Sequence, residues 1–286
     1  MLLADGCIVH YLGRKRDASM DSRVGFHLWE DLYSIPSLES VPRVDAVIHL
    51  AGEPIAQRWN SERKRAIRDS RVVGTQRLVE ALGRLRHKPK VLVSASATGF
   101  YGDRGDEILT ENSGPGKGFL AELCSEWERE SARATELGMR VVQVRIGVVL
   151  GREGGALKQM LPIFRSGLGG QFGNGRQWVS WIEREDLLRM FRWAAETGDV
   201  EGVLNGTAPN PVTNAEFTKA LARVVHRPAF FRVPKFALRI ALGEMADFLG
   251  ESIRAVPRAP EKHGFQFSFG DLARALSRAV QPTTST

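Results

Sequence analysis

Short apolar runs alternate with helical patterns through the first half of the sequence. The predicted strands are four runs rich in valine and isoleucine, at residues 7–12, 45–50, 90–95 and 140–146. Apolar residues at helix spacing lie between them, over about 60–86 and 118–137. Because a crossover helix must return the chain to start a parallel neighbour, this order implies a parallel sheet covered on both faces. The sequence therefore predicts an α/β fold with a doubly wound parallel sheet.

The alternation of strand and helix patterns ends at about residue 151. Two glycine-rich stretches, at 151–155 and 167–175, flank a helix predicted at 156–167. Trp181 is predicted to start a further helix, and the run at 202–206 indicates one more strand. The remainder contains no strand–helix alternation, so we expect a smaller, mostly helical C-terminal region.

The composition is that of a globular protein, with 43% hydrophobic and 26% charged residues. No run approaches the roughly 18 apolar residues of a membrane span, and the first residues lack the features of a signal peptide. Cys7 and Cys124 are too few for a disulfide framework or a zinc cluster. We therefore expect a cytoplasmic protein with no metal and no membrane partner.

The formal net charge is +7, which raises the question of a polyanionic partner. The densest basic run, from Arg58 to Arg71, also contains Glu62 and Asp69, which is typical of a solvated helix face. No zinc-finger spacing or other nucleic-acid motif accompanies the charge, so we expect no nucleic-acid partner.

The residues after the first predicted strand indicate a nucleotide site, because ligands of doubly wound sheets bind beyond the carboxyl ends of the strands. Gly13 is followed by Arg14, Lys15 and Arg16, with no acid before Asp17. In dinucleotide folds an acid at such a position accepts from the ribose 2′-hydroxyl, whereas a cation neutralises a 2′-phosphate. The pattern favours NADP over NAD, and a charged surface loop is the alternative.

The next strand ends supply small and hydroxyl-bearing residues. Leu50, Ala51 and Gly52 follow one strand, where a backbone must approach a ligand closely. Ser96 lies at the end of the following strand and Tyr101 five residues later, which forms a polar pair beside the expected nicotinamide position. A serine at a strand end is more often a turn or cap residue, so both interpretations stay open.

Several motifs then resemble one family, over nearly the whole chain and in order. They are LAGEPIAQRW, RDSR at 68–71, SASATGFYGDRGDE at 94–107, FLAELCSEWE at 119–128, RIGVVLG at 145–151, WIEREDL at 181–187 and LNGTAPNPVTNAEF at 204–217. The chain resembles the atypical extended short-chain dehydrogenase/reductases, and within them the epimerase-like family of SDR39U1 and bacterial cell-division-inhibitor-like proteins.

The resemblance implies an NADP-binding Rossmann domain over 1–155, to which 177–208 returns, and a substrate-binding domain over 156–286. It carries cofactor contacts over to Gly13, Arg14, Leu50, Ala51, Arg71 and Val149, and the basic run after the first strand adds Lys15. For Arg71 the alternative is a salt bridge on the surface of a helix. Ser96 matches the position of the family's hydroxyl donor.

One departure from the family concerns proton transfer. Active members use Tyr-x-x-x-Lys, in which the lysine lowers the tyrosine pKa from about 10. The corresponding segment here is Phe-Leu-Ala-Glu-Leu-Cys at 119–124, in which neither pair at that spacing can do this chemistry. We therefore expect catalysis, if it occurs, to use Tyr101 or a water, with Ser96 orienting a carbonyl.

A second departure is at the start, where the family has a strand and a glycine-rich turn that binds pyrophosphate. Here Leu2 to Gly6 has the pattern of the last turn of the helix that follows, with Gly6 as its stop. We expect an in-frame upstream sequence to encode that unit, and the 286-residue form to fold poorly and bind NADP weakly.

Two functions fit these observations. The first is an NADP(H)-binding oxidoreductase-like or epimerase-like protein that acts on an unknown small molecule. The alternative is a non-catalytic NADP(H)-binding scaffold or sensor with a protein partner. The retained Ser96 and Tyr101 favour the first, and the absent Tyr-x-x-x-Lys pair favours the second, so enzymatic activity stays open. The sequence indicates neither the substrate nor the oligomeric state.

Overall fold

The structure is a computed structural model that describes residues 1–281, without the side chains of residues 235 and 241. The strands are β1 (His10–Gly13), β2 (Gly25–Leu28), β3 (Ala46–His49), β4 (Val91–Ala97), β5 (Ile108–Leu109), β6 (Arg140–Ile146), β7 (Val148–Leu150), β8 (Gly170–Phe172), β9 (Trp178–Val179), β10 (Trp181–Glu183), β11 (Gly202–Gly206), β12 (Val212–Thr213), β13 (Phe231–Val233) and β14 (Arg254–Ala255). The helices are α1 (Ser61–Arg84), α2 (Phe119–Ala132), α3 (Gly155–Arg165), α4 (Arg184–Glu196), α5 (Asn214–Val224), α6 (Lys235–Leu242), α7 (Met245–Phe248), α8 (Arg258–Lys262) and α9 (Leu272–Val280). Short 3₁₀ turns lie at Thr98–Tyr101 and Arg133–Leu137.

The central sheet has four parallel strands in the order β11, β6, β4, β3. The register pairs Ser96 of β4 with Arg145 of β6, and His49 of β3 with Ser94 of β4. β1 and β2 pair with each other, also in parallel, in a two-stranded sheet of their own. The predicted parallel α/β fold is confirmed.

The two faces of the central sheet are covered by different helices. Val91 and Val93 of β4 pack with Met190 of α4 on one face. The alternate residue Leu92 packs with Leu82 of α1 on the other. This alternation follows from the two-residue period of a strand, and it gives the sheet helices on both sides.

A second core lies in the C-terminal part of the chain. It is formed by apolar side chains of α3, α5 and α9 together with β7 and β10, among them Leu150, Leu157, Phe164, Trp181, Phe217, Leu221 and Leu276. α5 begins with a capping box in which the Thr213 hydroxyl accepts from the Glu216 backbone and Glu216 accepts from the Thr213 backbone. The C-terminal region is mostly helical, as predicted.

Some predicted elements differ from the structure. Residues 181–183 form strand β10 and not the start of a helix, because Glu183 is the N-cap whose side chain accepts from Glu185 and Asp186 backbone groups. The first strand begins at His10 and not at residue 7, and the predicted helix to 137 becomes a 3₁₀ turn after Ala132. Residues 282–286 of the predicted C-terminal domain lie outside the described residues. None of the described helices is long and apolar enough to cross a membrane.

Candidate functional site

The cations predicted to contact a 2′-phosphate follow the carboxyl end of β1. Gly13 is the last residue of that strand, and the side chains of Arg14 and Lys15 after it are exposed. Arg14 Nη2 lies 3.1 Å from Glu53 Oε1, and the Arg14 side chain keeps 75% of its surface exposed. This ion pair brings the loop after β1 and the loop after β3 to the same edge of the molecule.

Arg71 of α1 holds the loop after β3 in place. Its Nη1 donates to the carbonyl of Glu53 at 3.0 Å and to that of Ile67 at 3.2 Å. A Cβ on Gly52 would lie 2.9 Å from the Arg71 guanidinium carbon, so a larger residue here would require the Arg71 side chain to move. Burial lowers the pKa of Arg71. Arg71 therefore supports the predicted cofactor loop through backbone carbonyls and not as a helix-surface salt bridge.

The remaining predicted cofactor contacts lie at neighbouring strand ends. Leu50 and Ala51 follow β3 directly, and both are exposed. Val149 lies in β7, opposite Ile182 of β10, and packs against the same core as Ile48. The structure thus brings these three residues to the carboxyl side of the sheet.

Ser96 belongs to a buried ionic network on the α2 face of the sheet. Its hydroxyl donates to Glu128 Oε1 at 2.6 Å. Arg145, its register partner on β6, binds the same carboxylate in a bidentate pair, with Nε–Oε1 and Nη2–Oε2 distances of 2.8 Å. All three residues are buried. A bidentate geometry satisfies both charges, which a buried ion pair requires.

Tyr101 joins the same network from the 3₁₀ turn after β4. Its hydroxyl lies 2.7 Å from Asn205 Oδ1 and 3.0 Å from the Thr110 carbonyl, and it accepts from Arg145 Nη1 at 3.1 Å. The side chain is fully buried. Burial raises the pKa of Tyr101, against the opposing effect of the Arg145 charge. At neutral pH the hydroxyl is therefore a neutral donor.

The sequence predicted Ser96 and Tyr101 as a pair but missed the groups between them. Glu128 and Arg145 connect the two hydroxyls, and Asn205 accepts from Tyr101. One signal is present in the sequence, because Arg145 lies inside a predicted buried strand, and a buried arginine requires an anionic partner. Nothing in the spacing identified Glu128 as that partner.

The segment in place of the family's tyrosine and lysine lies in the first turns of α2. Cys124 is buried next to Ser96, and burial raises the pKa of its thiol to about 12, with the Glu128 charge adding to the effect. Such a thiol stays protonated at neutral pH and cannot replace the lysine cation.

A cavity of about 350 Å³ lies between the loop after β4 and the C-terminal elements. Asp103 and Asp106 line one side, Phe172 and Arg176 another, and Leu238 of α6 contributes an apolar surface. Trp178 Nε1 donates to Asp106 Oδ1 at 2.7 Å and fixes the two sides relative to each other. Pockets between sheet and C-terminal elements are common places for small-molecule binding.

A carboxyl group with a raised pKa lies next to this cavity. Glu251 is flanked by the lining residues Gly250 and Ser252. Burial raises its pKa to about 7, and the charges of Asp103 and Asp247 act in the same direction. A carboxyl that titrates near neutral pH in a cleft is a candidate proton-transfer group.

Similarity to known proteins assigns the chain to a family. Residues 2–205 match the model of the NAD dependent epimerase/dehydratase family. The chain belongs to that family. Residues 233–279 match a domain of unknown function, DUF1731.

Two epimerase family members illustrate the similarity. Epimerase family protein ML0860 of Mycobacterium leprae (strain TN) is 43% identical over 246 residues, which cover 85% of this chain and 79% of that protein. Epimerase family protein SDR39U1 of Mus musculus is 38% identical over 276 residues, which cover 94% of this chain and 92% of that protein. The similarity to the SDR39U1 group that the sequence motifs predicted is confirmed.

A solved epimerase family structure also matches the fold. The crystal structure of human epimerase family protein SDR39U1 (isoform 2) with NADPH superposes with a TM-score of 0.87 at 35% sequence identity. The match covers 97% of this chain and 92% of that chain. The Rossmann-like α/β architecture is therefore shared along nearly the whole length.

Proposed function

We propose that this epimerase family protein binds NADP(H) along the carboxyl edge of its strands and acts on a small molecule. The observation that carries the proposal is the convergence of the loops after β1 and β3, linked by the Arg14–Glu53 pair, with exposed cations beside them. The human relative crystallised with NADPH supports the same nucleotide here.

The residues at this edge suit a phosphorylated dinucleotide. Arg14 and Lys15 offer charge-assisted donors to a 2′-phosphate, and Gly13, Leu50 and Ala51 offer backbone at strand ends. Arg71 keeps the loop after β3 in position, and Val149 would contact the nicotinamide side. When bound, the cofactor supplies or accepts a hydride.

Cofactor choice can be tested directly by calorimetric titration of the protein with NADP⁺ and with NAD⁺. We expect NADP⁺ to bind at least about tenfold more tightly, because one charge-assisted contact contributes roughly 1.5–3 kcal/mol. Equal affinities would refute the assignment of NADP.

For the reaction we propose slow reduction of a carbonyl substrate, in which Tyr101 and Ser96 take part. Hydride transfer to a carbonyl leaves an alkoxide that needs a proton, and a neutral tyrosine can donate one more easily than it can accept one back. In the structure both hydroxyls have protein partners, so a direct role requires either of them to exchange its partner for substrate. Reduction should therefore be faster than oxidation.

The reaction can be tested by screening a panel of carbonyl compounds for NADPH oxidation. We expect Tyr101→Phe and Ser96→Ala to lower turnover while the affinity for NADP⁺ is retained. Turnover that is unchanged in both variants would remove these residues from catalysis. The matched control is Tyr33→Phe, since that hydroxyl is exposed and bonds only Asp69 among the described residues.

A non-catalytic NADP(H)-binding scaffold or sensor is the second candidate function. It is favoured by the same network, in which Ser96 and Tyr101 are buried with satisfied hydroxyls. Tight NADP(H) binding without turnover of any carbonyl tested, combined with capture of a specific protein partner, would support it. For either function we propose a cytoplasmic location, in keeping with the free thiols of Cys7 and Cys124.

A further inference from the structure

The positive charge of the chain is concentrated in two segments. Residues 154–182 and 217–243 contain nine lysines and arginines and no aspartate or glutamate. Since the whole chain carries +7, the remaining residues have a small net negative charge. A charge distribution this uneven along the sequence favours association with a polyanion.

The fold places the two segments side by side. β8 of the first pairs in parallel with β13 of the second, with Phe231 opposite Gly170. Arg227, after α5, donates its Nε to the carbonyl of Arg165 at the end of α3 at 3.1 Å. The exposed surface formed by residues 154–182 and 217–243 is called the basic face below.

The basic face also exposes large apolar side chains. Their exposed fractions are 53% for Ile163, 60% for Leu168, 86% for Phe230, 52% for Phe231, 68% for Phe236 and 70% for Ile240. Phe236 and Ile240 are four residues apart and share one side of α6, while Leu238 is buried. Helix α6 therefore carries an apolar stripe that faces solvent.

The cations of the basic face are available to an external anion. The eight whose side chains the structure describes are all exposed: Lys158, Arg165, Arg176, Lys219, Arg223, Arg227, Arg232 and Arg239. Within the described part of the chain, Arg239 with Asp247 is the one ion pair that involves them. Elsewhere, the basic run at 58–71 is paired with acids, as in Arg63–Glu53, Lys64–Glu244 and Arg68–Glu126.

We propose that the basic face docks on the surface of an anionic lipid bilayer, with Phe230, Phe236 and Ile240 inserted among the headgroups. A basic surface with protruding phenylalanine and aliphatic side chains is typical of proteins that lie in the bilayer interface. Single-stranded nucleic acid binds basic surfaces through aromatic stacking platforms, and Phe230, Phe231 and Phe236 offer rings of this kind. The equally exposed Ile163, Leu168 and Ile240 cannot stack on bases, and they favour the bilayer interface. This contact needs no membrane span, so it revises the expectation of no membrane partner.

The proposal can be tested by co-sedimentation of the full chain with phosphatidylcholine vesicles, with and without phosphatidylglycerol. We expect binding only to the vesicles that contain phosphatidylglycerol, weakened by salt. Arg227→Glu with Arg232→Glu should lower the partition coefficient at least about 20-fold, since the loss of each basic residue near an anionic surface costs about fivefold and the two new carboxylates are repelled by the lipid. Phe236→Ser with Ile240→Ser should lower it on the order of tenfold.

The matched control reverses two exposed arginines outside the basic face, Arg86→Glu with Arg129→Glu, and should change the partition less than about fivefold. Circular dichroism and thermal unfolding should show that all variants keep the fold. The proposal is overturned if the protein does not sediment with anionic vesicles, or if the control reduces binding as much as the basic-face variant. Tighter binding to an acidic polypeptide or to single-stranded RNA than to anionic vesicles would also overturn it.

Discussion

The two ends of the proposed site differ in how their polar groups are engaged. At the cofactor end Arg14 and Lys15 are exposed, and Arg14 has one ion pair, to Glu53. At the reaction end Ser96 and Tyr101 are buried, and the structure gives each hydroxyl an acceptor in the protein.

The comparison indicates which groups can respond to a ligand at little cost. An exposed arginine exchanges water for phosphate, whereas a buried hydroxyl must give up a protein partner that is then left unsatisfied. We infer that the exposed cations can contact a phosphate without rearrangement of the fold, while proton transfer by Tyr101 would require rearrangement of the network around Arg145.

The largest expected effect concerns the buried ion pair. Glu128→Ala leaves the Arg145 guanidinium buried without its carboxylate, and removing one partner of a buried pair costs about 3–5 kcal/mol. We expect a free energy of unfolding lower by this amount in urea denaturation. Glu196→Ala is the control, because its i,i+4 pair with Arg192 is exposed and contributes at most about 0.5 kcal/mol. Equal decreases in the free energy of unfolding for the two variants would contradict the prediction that the buried ion pair contributes more than the exposed one.

At the cofactor end, Arg14→Ala should weaken NADP⁺ binding by about 1.5–3 kcal/mol and leave NAD⁺ binding unchanged. The physical reason is the loss of a charge-assisted donor to the 2′-phosphate. Arg23→Ala is the control, because this arginine is exposed and paired with Asp21. Calorimetry would contradict the prediction if both nucleotides lost affinity equally.

Tyr101→Phe tests the reaction end through stability. The change leaves Asn205 Oδ1 without the hydroxyl that lies 2.7 Å away. An unsatisfied buried acceptor costs about 1–3 kcal/mol, so thermal and urea unfolding should both show the loss. Tyr33→Phe should change stability by only a few tenths of a kcal/mol, since its hydroxyl is at the surface. If Tyr101→Phe left the free energy of unfolding unchanged, the Tyr101 hydroxyl would be free to leave the network.

The smallest effect should come from Glu251 and should depend on pH. Its pKa is raised from the usual 4.5 to about 7 in the folded chain, so the folded state holds this proton more tightly than the unfolded state. The contribution of Glu251 to the stability of the fold therefore becomes unfavourable as the pH rises from 4.5 to 7, and it stays unfavourable above pH 7. Since the side chain is partly solvated, Glu251→Gln should stabilise the protein by only about 1 kcal/mol at pH 8, with little effect at pH 4.5. Unfolding curves at the two pH values measure this, and an equal gain at both would contradict it.

The sequence predicted the elements that rest on local patterns. The strands predicted at 140–146 and 202–206 agree with the structure at every residue. Residues 181–183 form strand β10 where the sequence predicts the start of a helix, because they pair with β7. That pairing is a tertiary contact, which local propensity cannot reveal.

The same limit of local patterns applies to the candidate site. Exposed groups such as Arg14 can be assigned a role from residue type and position at a strand end. The partner of a buried group depends on helix packing, so Glu128 of α2 could not be assigned to Ser96 and Arg145 from spacing. The basic face was missed for a related reason, since its two segments are far apart in sequence and meet only through β8 and β13.

A crystal structure of the protein grown with NADP⁺ tests the central claim most directly. We expect the nucleotide along the carboxyl edge of the strands, with its 2′-phosphate in contact with Arg14 or Lys15 and its nicotinamide on the side of Val149. A nucleotide bound elsewhere on the chain, or bound with its 2′-phosphate away from both cations, would contradict the proposed site.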